Sequence, residues 1–277
     1  MALELVNKLP YDHPYRWDGT AVGGVKLWRP DELGADLALW LDAADASTIT
    51  LNGSNVSQWD DKSGNGKHVS QGEATLQPQY DSFQLNSLST ISFVDDILGT
   101  SSPLSEVATD WSYTGVMNFT ESNPSTADAF LSSNTSASGT FQMDIRSVGG
   151  NNALSFSGKD DGGENNTPTA LYQNPYNTIT GILYCSVDST GVKTSFNGVQ
   201  VDSSTATFRT GMTVPVRLGV NRSVANFLNA NHAEHVFTTS VLSTEDRQKM
   251  EGYLAWKWGL EANLPAGHPY KSTPPTA

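Results

Sequence analysis

The sequence predicts an all-β fold in which antiparallel sheets pack as a sandwich, with one helix near the C-terminus. Along most of the 277-residue chain, apolar residues alternate with polar ones instead of recurring at helical spacing. The 24 glycines and 13 prolines, together with abundant Ser, Thr and Asn, supply the turns that short strands require. A single stretch before the C-terminus has the spacing of an amphipathic helix.

Residues 1–30 are predicted to form an extended arm, and residues 31–277 the sandwich. The arm is rich in aromatic residues and proline, and proline favours extended backbone at its own position and at the one before it. This segment has no alternating stretch that could build a core of its own. We therefore expect an arm and not a separate domain.

The predicted strands follow one another with short turns between them. The sequence Asn197-Gly198 between two alternating segments predicts a type I′ hairpin, because both central positions of that turn need a positive φ. The segments with strand patterns are, in order, 37–42, 48–51, 56–59, 89–94, 113–119, 141–146, 153–156, the hairpin 193–201, 214–220 and 233–237.

A helix is predicted over residues 244–258. Ser243 is a favourable N-cap, acidic residues follow it, and Gly259 suits the C′ position. Apolar side chains recur at helical spacing and predict a buried stripe, formed by Met250, Tyr253, Leu254 and Trp258. The polar residues Arg247, Lys249 and Glu251 are expected to face water.

The charge balance argues against nucleic-acid binding. Sixteen basic and 29 acidic residues give a net charge of −13, and an acidic surface repels phosphates. Neither a signal peptide nor an apolar stretch of membrane-spanning length is apparent, so we expect a soluble chain without its own export signal. The single cysteine, Cys185, alternates with Leu183 and Val187 and is predicted to be a small buried residue.

Several of these segments together resemble a known family. They are residues 38–47, 56–66 with its Asp-Lys-Ser-Gly-Asn-Gly loop, 93–96, the hairpin at 196–198, Ala233-Glu234, and 242–270. In this combination the chain is similar, over roughly residues 27–274, to the laminin-G-like branch of the concanavalin A-like jelly rolls, as found in bacterial surface proteins and phage structural proteins. The resemblance implies two antiparallel sheets packed face to face in a jelly roll. It leaves function open, since this fold hosts lectins, glycanases, lyases and scaffolds.

The sequence gives no catalytic site. A glycanase needs two carboxylates facing each other across a groove, yet no Glu-x-Asp-x-x-Glu motif occurs, and adjacent Asp95 and Asp96 would point to opposite faces of a strand. His232 and His235 are three apart and are likewise expected on opposite faces, which argues against a zinc site. We therefore predict that the protein is not an enzyme and carries no organic cofactor.

Calcium is the one ligand for which two loops offer candidates. Oxygen-rich loops suit calcium, and the candidate ligands are Asp60, Asp61 and Asn65 in the first loop and Asp160, Asp161 and Glu164 in the second. The alternative is that these residues serve only as turn formers, and the neighbouring Lys62 and Lys159 favour that alternative.

The tryptophans in predicted strands and in the helix are expected in the core. These are Trp40, Trp59, Trp111, Trp256 and Trp258. The alternative, an exposed ring that stacks on sugars, stays open at this stage.

The phrase Leu-Pro-x-x-His-Pro-Tyr occurs at both ends of the chain, at residues 9–15 and 264–270. In the resembling modules it follows the last helix and ends the domain, so the first copy looks like the tail of a preceding module. Prolines stiffen this arm and its aromatic residues suit an interface. We predict that residues 1–19 contact a neighbouring subunit or particle through His13, Tyr15 and Trp17; the alternative is an arm that folds back on its own sandwich.

For function, the sequence favours a non-enzymatic structural protein on the surface of a phage particle. The expected role is capsid decoration or a peripheral tail subunit, as a homo-oligomer held to other virion proteins by the arm and contacting host-surface glycans. The lack of an export signal favours this role, since phage particles assemble in the host cytoplasm and leave by lysis. The alternative is a carbohydrate-binding adhesion module of a bacterial surface protein.

Overall fold

The structure, a computed structural model, describes residues 25–120, 128–133, 141–148, 151–159, 165–166, 172–174, 179–205 and 212–277. Its secondary structure is dominated by β-strands, as predicted. The strands are β1 Leu37–Asp42, β2 Ile49–Asn52, β3 Asn55–Trp59, β4 Val69–Ser70, β5 Gln79–Leu85, β6 Leu88–Phe93, β7 Leu98–Thr100, β8 Trp111–Phe119, β9 Asp128–Ser133, β10 Phe141–Val148, β11 Asn151–Lys159, β12 Asn165–Asn166, β13 Tyr172–Asn174, β14 Ile179–Asp188, β15 Gly191–Phe196, β16 Val199–Ser204, β17 Val216–Leu218 and β18 Ala230–Thr238.

These strands form two antiparallel layers. In the first layer β18 lies between β8 on one side and β1 and β6 on the other, and the layer continues through β14, β15 and β16. The second layer runs from β2 through β3, β4, β7, β17, β9, β10 and β11 to β13. Strand β5 pairs with β6 at the edge of the first layer, and one pair, Asn55 with Gln79, joins β3 to β5 and links the layers. The predicted all-β, antiparallel sandwich is confirmed.

The main hydrophobic core lies between the two layers. It is rich in large aromatic side chains that are fully buried, including Trp59, Trp111, Tyr113, Phe130 and Phe156. Cys185 belongs to this core, where burial raises the pKa of its thiol. The cysteine is therefore a buried small residue, as predicted.

A second core lies on the other face of the first layer, beneath the helix α1, Thr244–Trp258. Both faces of β1 and β18 are consequently covered, and every residue of these two strands is buried. Side chains from the helix meet Trp40 and Val236 of the sheet in this second core. We call this layer of contacts the helix–sheet interface.

The helix begins and ends as its sequence predicts. The Ser243 hydroxyl accepts a hydrogen bond from the Asp246 N–H, and Gly259 takes the left-handed conformation with φ of 71°. The predicted stripe residues Met250, Tyr253, Leu254 and Trp258 are all buried. The expectation that Glu251 faces water is wrong, because this residue is buried and its carboxylate is bound by Arg247 and by His268 of the C-terminal tail.

One hairpin turn, an isolated pairing near the C-terminus and four 3₁₀ turns complete the described fold. Asn197 and Gly198 have φ of 50° and 78°, which confirms the predicted hairpin between β15 and β16. Leu27 pairs with Thr276, and the Ala277 N–H donates to the Lys26 carbonyl. Short 3₁₀ turns occupy Pro30–Asp36, Ala46–Thr48, Ala74–Leu76 and Glu261–Asn263. Among the described helices, none is long and apolar enough to cross a membrane.

Candidate functional site

The densest group of charged side chains lies in the helix–sheet interface. The Lys257 ammonium, on α1, is 2.6 Å from Asp42 Oδ1 at the end of β1 and 2.7 Å from Glu234 Oε2 on β18. All three side chains are buried. The ion pairs thus connect the last turn of the helix to two neighbouring strands of the first layer.

Glu234 is surrounded by hydrogen-bond donors. Its oxygens accept from Trp40 Nε1–H at 2.7 Å, from Trp258 Nε1–H at 2.7 Å and from the Tyr253 hydroxyl at 2.8 Å, besides Lys257. Burial raises the pKa of Glu234, Lys257 opposes this rise, and nearby Asp42 adds to it. Two indole N–H groups and an ammonium, which can only donate, favour the ionised form.

Asp42 also holds a second ammonium group, which lies nearer the surface. Lys62 Nζ is 2.9 Å from Asp42 Oδ2 and 2.7 Å from Asp45 Oδ2, and it stands 4.5 Å from the Trp40 ring centroid. Burial alone would raise the pKa of Asp42, but Lys257 and Lys62 outweigh it and hold that pKa below its usual value. We refer to Asp42, Asp45, Lys62, Glu234 and Lys257 as the charged cluster.

The charged cluster contains a carboxylate pair, yet it is not built for glycoside cleavage. Asp42 and Glu234 lie close enough to bind one ammonium nitrogen between them. A catalytic pair must face a sugar across an open groove, with one carboxyl free to give up a proton. Here Asp42 is 4% exposed and Glu234 0%. The pair therefore fits a structural role, in which it fixes the helix on the sheet.

The first calcium candidate loop folds around the Asp61 carboxylate. Oδ1 accepts from the backbone N–H groups of Trp40 and Ser63, and Oδ2 accepts from the Ser63 hydroxyl and the Lys67 N–H. The Asn65 amide donates to the carbonyls of Leu37 and Ala38. These contacts tie the loop to the start of β1.

The remaining calcium candidates do not gather around a common point in the described part of the chain. Asp60 Oδ1 accepts from the Gln58 amide at 2.7 Å and lies 3.3 Å from His68 Nδ1. Among the described residues, no group of three or more His, Cys, Asp or Glu side chains could hold a metal ion. Asp160, Asp161 and Glu164 lie outside the described residues, as do the predicted interface residues His13, Tyr15 and Trp17.

Calcium binding stays a prediction that chelation can test. Because Asp61 already satisfies several backbone and side-chain donors, we expect Asp61→Ala to lower the melting temperature with or without calcium. Four lost hydrogen bonds correspond to roughly 2–4 kcal/mol. Differential scanning fluorimetry with EDTA and with added calcium measures this. A drop of similar size on adding EDTA to the unchanged protein, reversed by calcium, would show that the loops bind the ion.

The structure contradicts the expectation that His232 and His235 face opposite ways. A β-bulge at Ala233 shifts the register between His232 and Glu234, so the two imidazoles lie on the same side of β18. His232 Nδ1 is 3.0 Å from His235 Nε2, and His235 Nδ1 is 2.8 Å from the Tyr113 hydroxyl. Burial holds the pKa of His235 down at about 3 and that of His232 well below its usual value, so both are neutral at pH 7.

Four of the five tryptophans expected in the core are buried, namely Trp40, Trp59, Trp111 and Trp258. Trp256 differs, because it is half-buried on the outer side of α1 and donates its Nε1–H to the Tyr270 carbonyl. Sequence reasoning missed the charged cluster. One usable signal was the position of Lys257, which lies four residues after Tyr253 and three after Leu254 and so falls on the apolar stripe of the helix.

Comparison with known proteins shows which solved structures share this fold. No family model matches the chain, and no curated protein matches it. Among solved structures, domain 4 of AbnA, an extracellular arabinanase from Geobacillus stearothermophilus solved with arabinotriose, is 15% identical with a TM-score of 0.54. The match covers 75% of this chain and 94% of that domain. The chain has a β-sandwich fold of this broad kind.

Two toxin domains share the architecture. The receptor binding domain of botulinum neurotoxin D matches with a TM-score of 0.55 and 15% identity, over 77% of this chain and 51% of that one. The binding domain of Paraclostridial Mosquitocidal Protein 1 matches with a TM-score of 0.53 and 12% identity, over 79% of this chain and 51% of that one. The chain therefore spans about half the length of each toxin domain. At these identities the likeness concerns the fold alone.

Proposed function

We propose that this protein is a non-catalytic carbohydrate-binding module. The observation that carries the proposal is the match to nearly the whole of an arabinanase domain that was solved with a bound arabinotriose. The two toxin domains that share the architecture are also named as binding domains. The burial of the carboxylate pair supports a binding role over a hydrolytic one.

An exposed strand offers a surface for a sugar. Phe83 on β5 is 37% exposed, whereas Tyr80 on the same strand packs against the main core and donates its hydroxyl to the Ala43 carbonyl. On the same strand as Phe83, the exposed polar side chains of Gln79, Ser82 and Gln84 supply hydrogen-bond donors and acceptors. Aromatic area combined with amides and hydroxyls suits a saccharide, which presents C–H faces and hydroxyl edges.

Calorimetric titration against a panel of oligosaccharides, arabinan fragments included, tests the proposal. We expect saturable binding that Phe83→Ala weakens about tenfold or more, because the ring is the main apolar contact. Val199→Ala is the matched control, since Val199 is 49% exposed on β16, at the opposite edge of the first layer from β5. Both variants should keep the melting temperature of the unchanged protein, since each truncates an exposed side chain.

Three results would count against the proposal in different ways. Absence of binding to every glycan on a broad array contradicts the carbohydrate-binding function itself. Binding that Phe83→Ala leaves intact contradicts only the surface on β5. Release of reducing ends from the same panel, lost on changing one Asp or Glu, would show instead that the protein is catalytic.

The role on a phage particle stays a prediction of the sequence resemblance. Virion partners, a homo-oligomer and a position on the virion surface belong to that prediction as well. The structures named above include no virion protein. Mass spectrometry of purified particles is the direct measurement for this role.

A further inference from the structure

The C-terminal copy of the repeated phrase packs against the helix α1. Leu264 is buried in the helix–sheet interface, and His268 is buried with its Nε2 3.1 Å from Glu251 Oε2. Arg247 Nη1 binds the other oxygen of Glu251 at 2.8 Å. The imidazole thus completes the contacts of a carboxylate that the helix buries.

The end of the phrase covers the next turn of the helix. A Cβ on Gly252 would come within 2.6 Å of the Tyr270 Cβ, so the absence of a side chain there lets the tyrosine approach. The Tyr270 carbonyl accepts the Trp256 Nε1–H at 2.8 Å. Lys271 donates to the carbonyl of Leu264 at 2.6 Å. We call the surface formed by Glu251, Gly252 and Trp256 the tail site.

The two copies of the phrase have identical residues at the positions that make these contacts. Leu9, Pro10, His13, Pro14 and Tyr15 match residues 264, 265, 268, 269 and 270, and a basic residue follows in both copies. The positions that differ correspond to Ala266 and Gly267, which are both exposed. The N-terminal copy therefore has the same residue at each position whose side chain contacts the tail site. Within the phrase, it differs from the C-terminal copy only at exposed positions.

The N-terminal copy can reach the tail site of its own chain. Leu27 pairs with Thr276, so the segment that leads back to the arm runs beside the segment that leads out of the tail. The six steps of chain from Lys271 to Ala277, whose N–H bonds to the Lys26 carbonyl, keep Lys26 within about 25 Å of the tail, and the nine steps from Arg16 to Val25 extend to about 30 Å. A segment tethered at this distance competes at a high effective concentration, whereas a second copy of the protein does not have this advantage.

We propose that residues 9–16 are an alternative occupant of the tail site in the same chain. The resident occupant is the segment 264–271, which is held in addition by the pairing of residues 275–277 with residues 26–28. When the resident contacts are weakened, the arm seats on α1 and replaces them. The helix–sheet interface is thereby protected by two interchangeable segments.

Four variants of the full chain test the exchange by thermal melting. The arm variant His13→Ala with Tyr15→Ala should melt like the unchanged protein, because the resident tail fills the site. The tail variant His268→Ala with Tyr270→Ala should melt a few degrees lower, since the arm takes over. Combining all four substitutions should lower the melting temperature by at least about twice as much. The control is the tail variant combined with Tyr11→Ala and Asp12→Ala, which should melt like the tail variant alone.

Equal melting temperatures for the tail variant and the combined variant would overturn the proposal. Melting at several protein concentrations shows whether the stabilising arm belongs to the same chain. Stabilisation by the arm of the same chain is independent of protein concentration. Support that fades on dilution, with a dimer in sedimentation, would instead place the arm on a second copy and contradict the assignment to one chain. If the tail variant does not fold, the milder pair Lys271→Ala and Arg16→Ala applies the same comparison.

Discussion

Replacing Lys257 by methionine is expected to lower the free energy of unfolding by about 3–5 kcal/mol. Methionine fills a similar volume but leaves two buried carboxylates, Asp42 and Glu234, without the ammonium that lies between them. Removing one partner of a buried ion pair costs more than the pair contributes, because the remaining charge stays away from water. Urea unfolding followed by tryptophan fluorescence measures the change, and the melting temperature should fall by about 6 °C or more.

The matched control for this substitution is Lys249→Met on the same helix. Lys249 pairs with Glu245 at 2.8 Å, but the Glu245 side chain is 73% exposed. An exposed pair at this spacing contributes under about 1 kcal/mol, so the control should unfold nearly like the unchanged protein. Equal losses for Lys257→Met and Lys249→Met would contradict the structural role of the charged cluster.

A second substitution shows which of the two carboxylates is destabilised by the loss of Lys257. Asp42 keeps Lys62 at 2.9 Å after Lys257 is gone, whereas Glu234 is left with neutral donors. Adding Glu234→Gln to Lys257→Met should therefore recover part of the lost stability, since it removes the unpaired charge and keeps an oxygen for the Trp40 N–H and the Tyr253 hydroxyl. The recovery is only partial because the amide NH2 then faces the Trp258 N–H. If the double variant is less stable than Lys257→Met alone, Asp42 is the carboxylate that needs Lys257.

Local sequence was sufficient for the parts of the fold that depend on neighbouring residues. Ser243 and Gly259 define the ends of α1 because capping involves hydrogen bonds over a few positions. Asn197-Gly198 defined its hairpin for the same reason. The alternating pattern also gave the antiparallel sandwich, since one buried face is what makes residues alternate.

The charged cluster could not be predicted because its members meet only in the folded chain. Asp42 and Lys257 are separated by 215 positions, and neither the strand nor the helix pattern indicates the other. The expectation for the histidines failed for a different reason. Counting by two along β18 breaks at the bulge at Ala233, which adds one residue on that strand and turns His235 to the side of His232.

Acid is expected to destabilise the protein through the same histidine pair. The pKa of His235 lies at about 3 and that of His232 well below 6.5 in the folded protein, whereas unfolded histidine titrates near its ordinary value. The unfolded state thus binds more protons below pH 6.5, and stability falls as the pH falls towards the folded pKa. The contribution is fully present above about pH 6.5 and decreases by about 1.4 kcal/mol per pH unit for each histidine that takes up a proton on unfolding.

The pKa shifts of Asp42 and Glu234 in the charged cluster affect stability either at lower pH than the histidines do or in the opposite direction. Asp42 has a lowered pKa, so its contribution is lost only below its ordinary value of 3.8. Glu234 has a raised pKa and binds its proton more readily in the folded state, which opposes acid unfolding in the range above 4.5. The histidine effect is therefore measured between about pH 5 and 6.5 as the difference between the unchanged protein and a histidine variant, because Glu234 acts in both; two buried imidazoles contribute about 4 kcal/mol at the lower limit.

His232→Leu separates one histidine from the other. His232 Nε2 is buried with no hydrogen-bond partner, so an apolar replacement beside Phe93, whose ring centroid is 4.2 Å away, loses only the Nδ1 contact with His235 Nε2 and should cost about 1–3 kcal/mol at pH 7.5. His235 keeps its contact with the Tyr113 hydroxyl. Urea unfolding at several pH values should give a shallower pH dependence for the variant, by about 1.4 kcal/mol per pH unit between pH 5 and 6. Parallel curves for the variant and the unchanged protein would mean that His232 takes up no additional proton on unfolding, and that the acid sensitivity originates elsewhere.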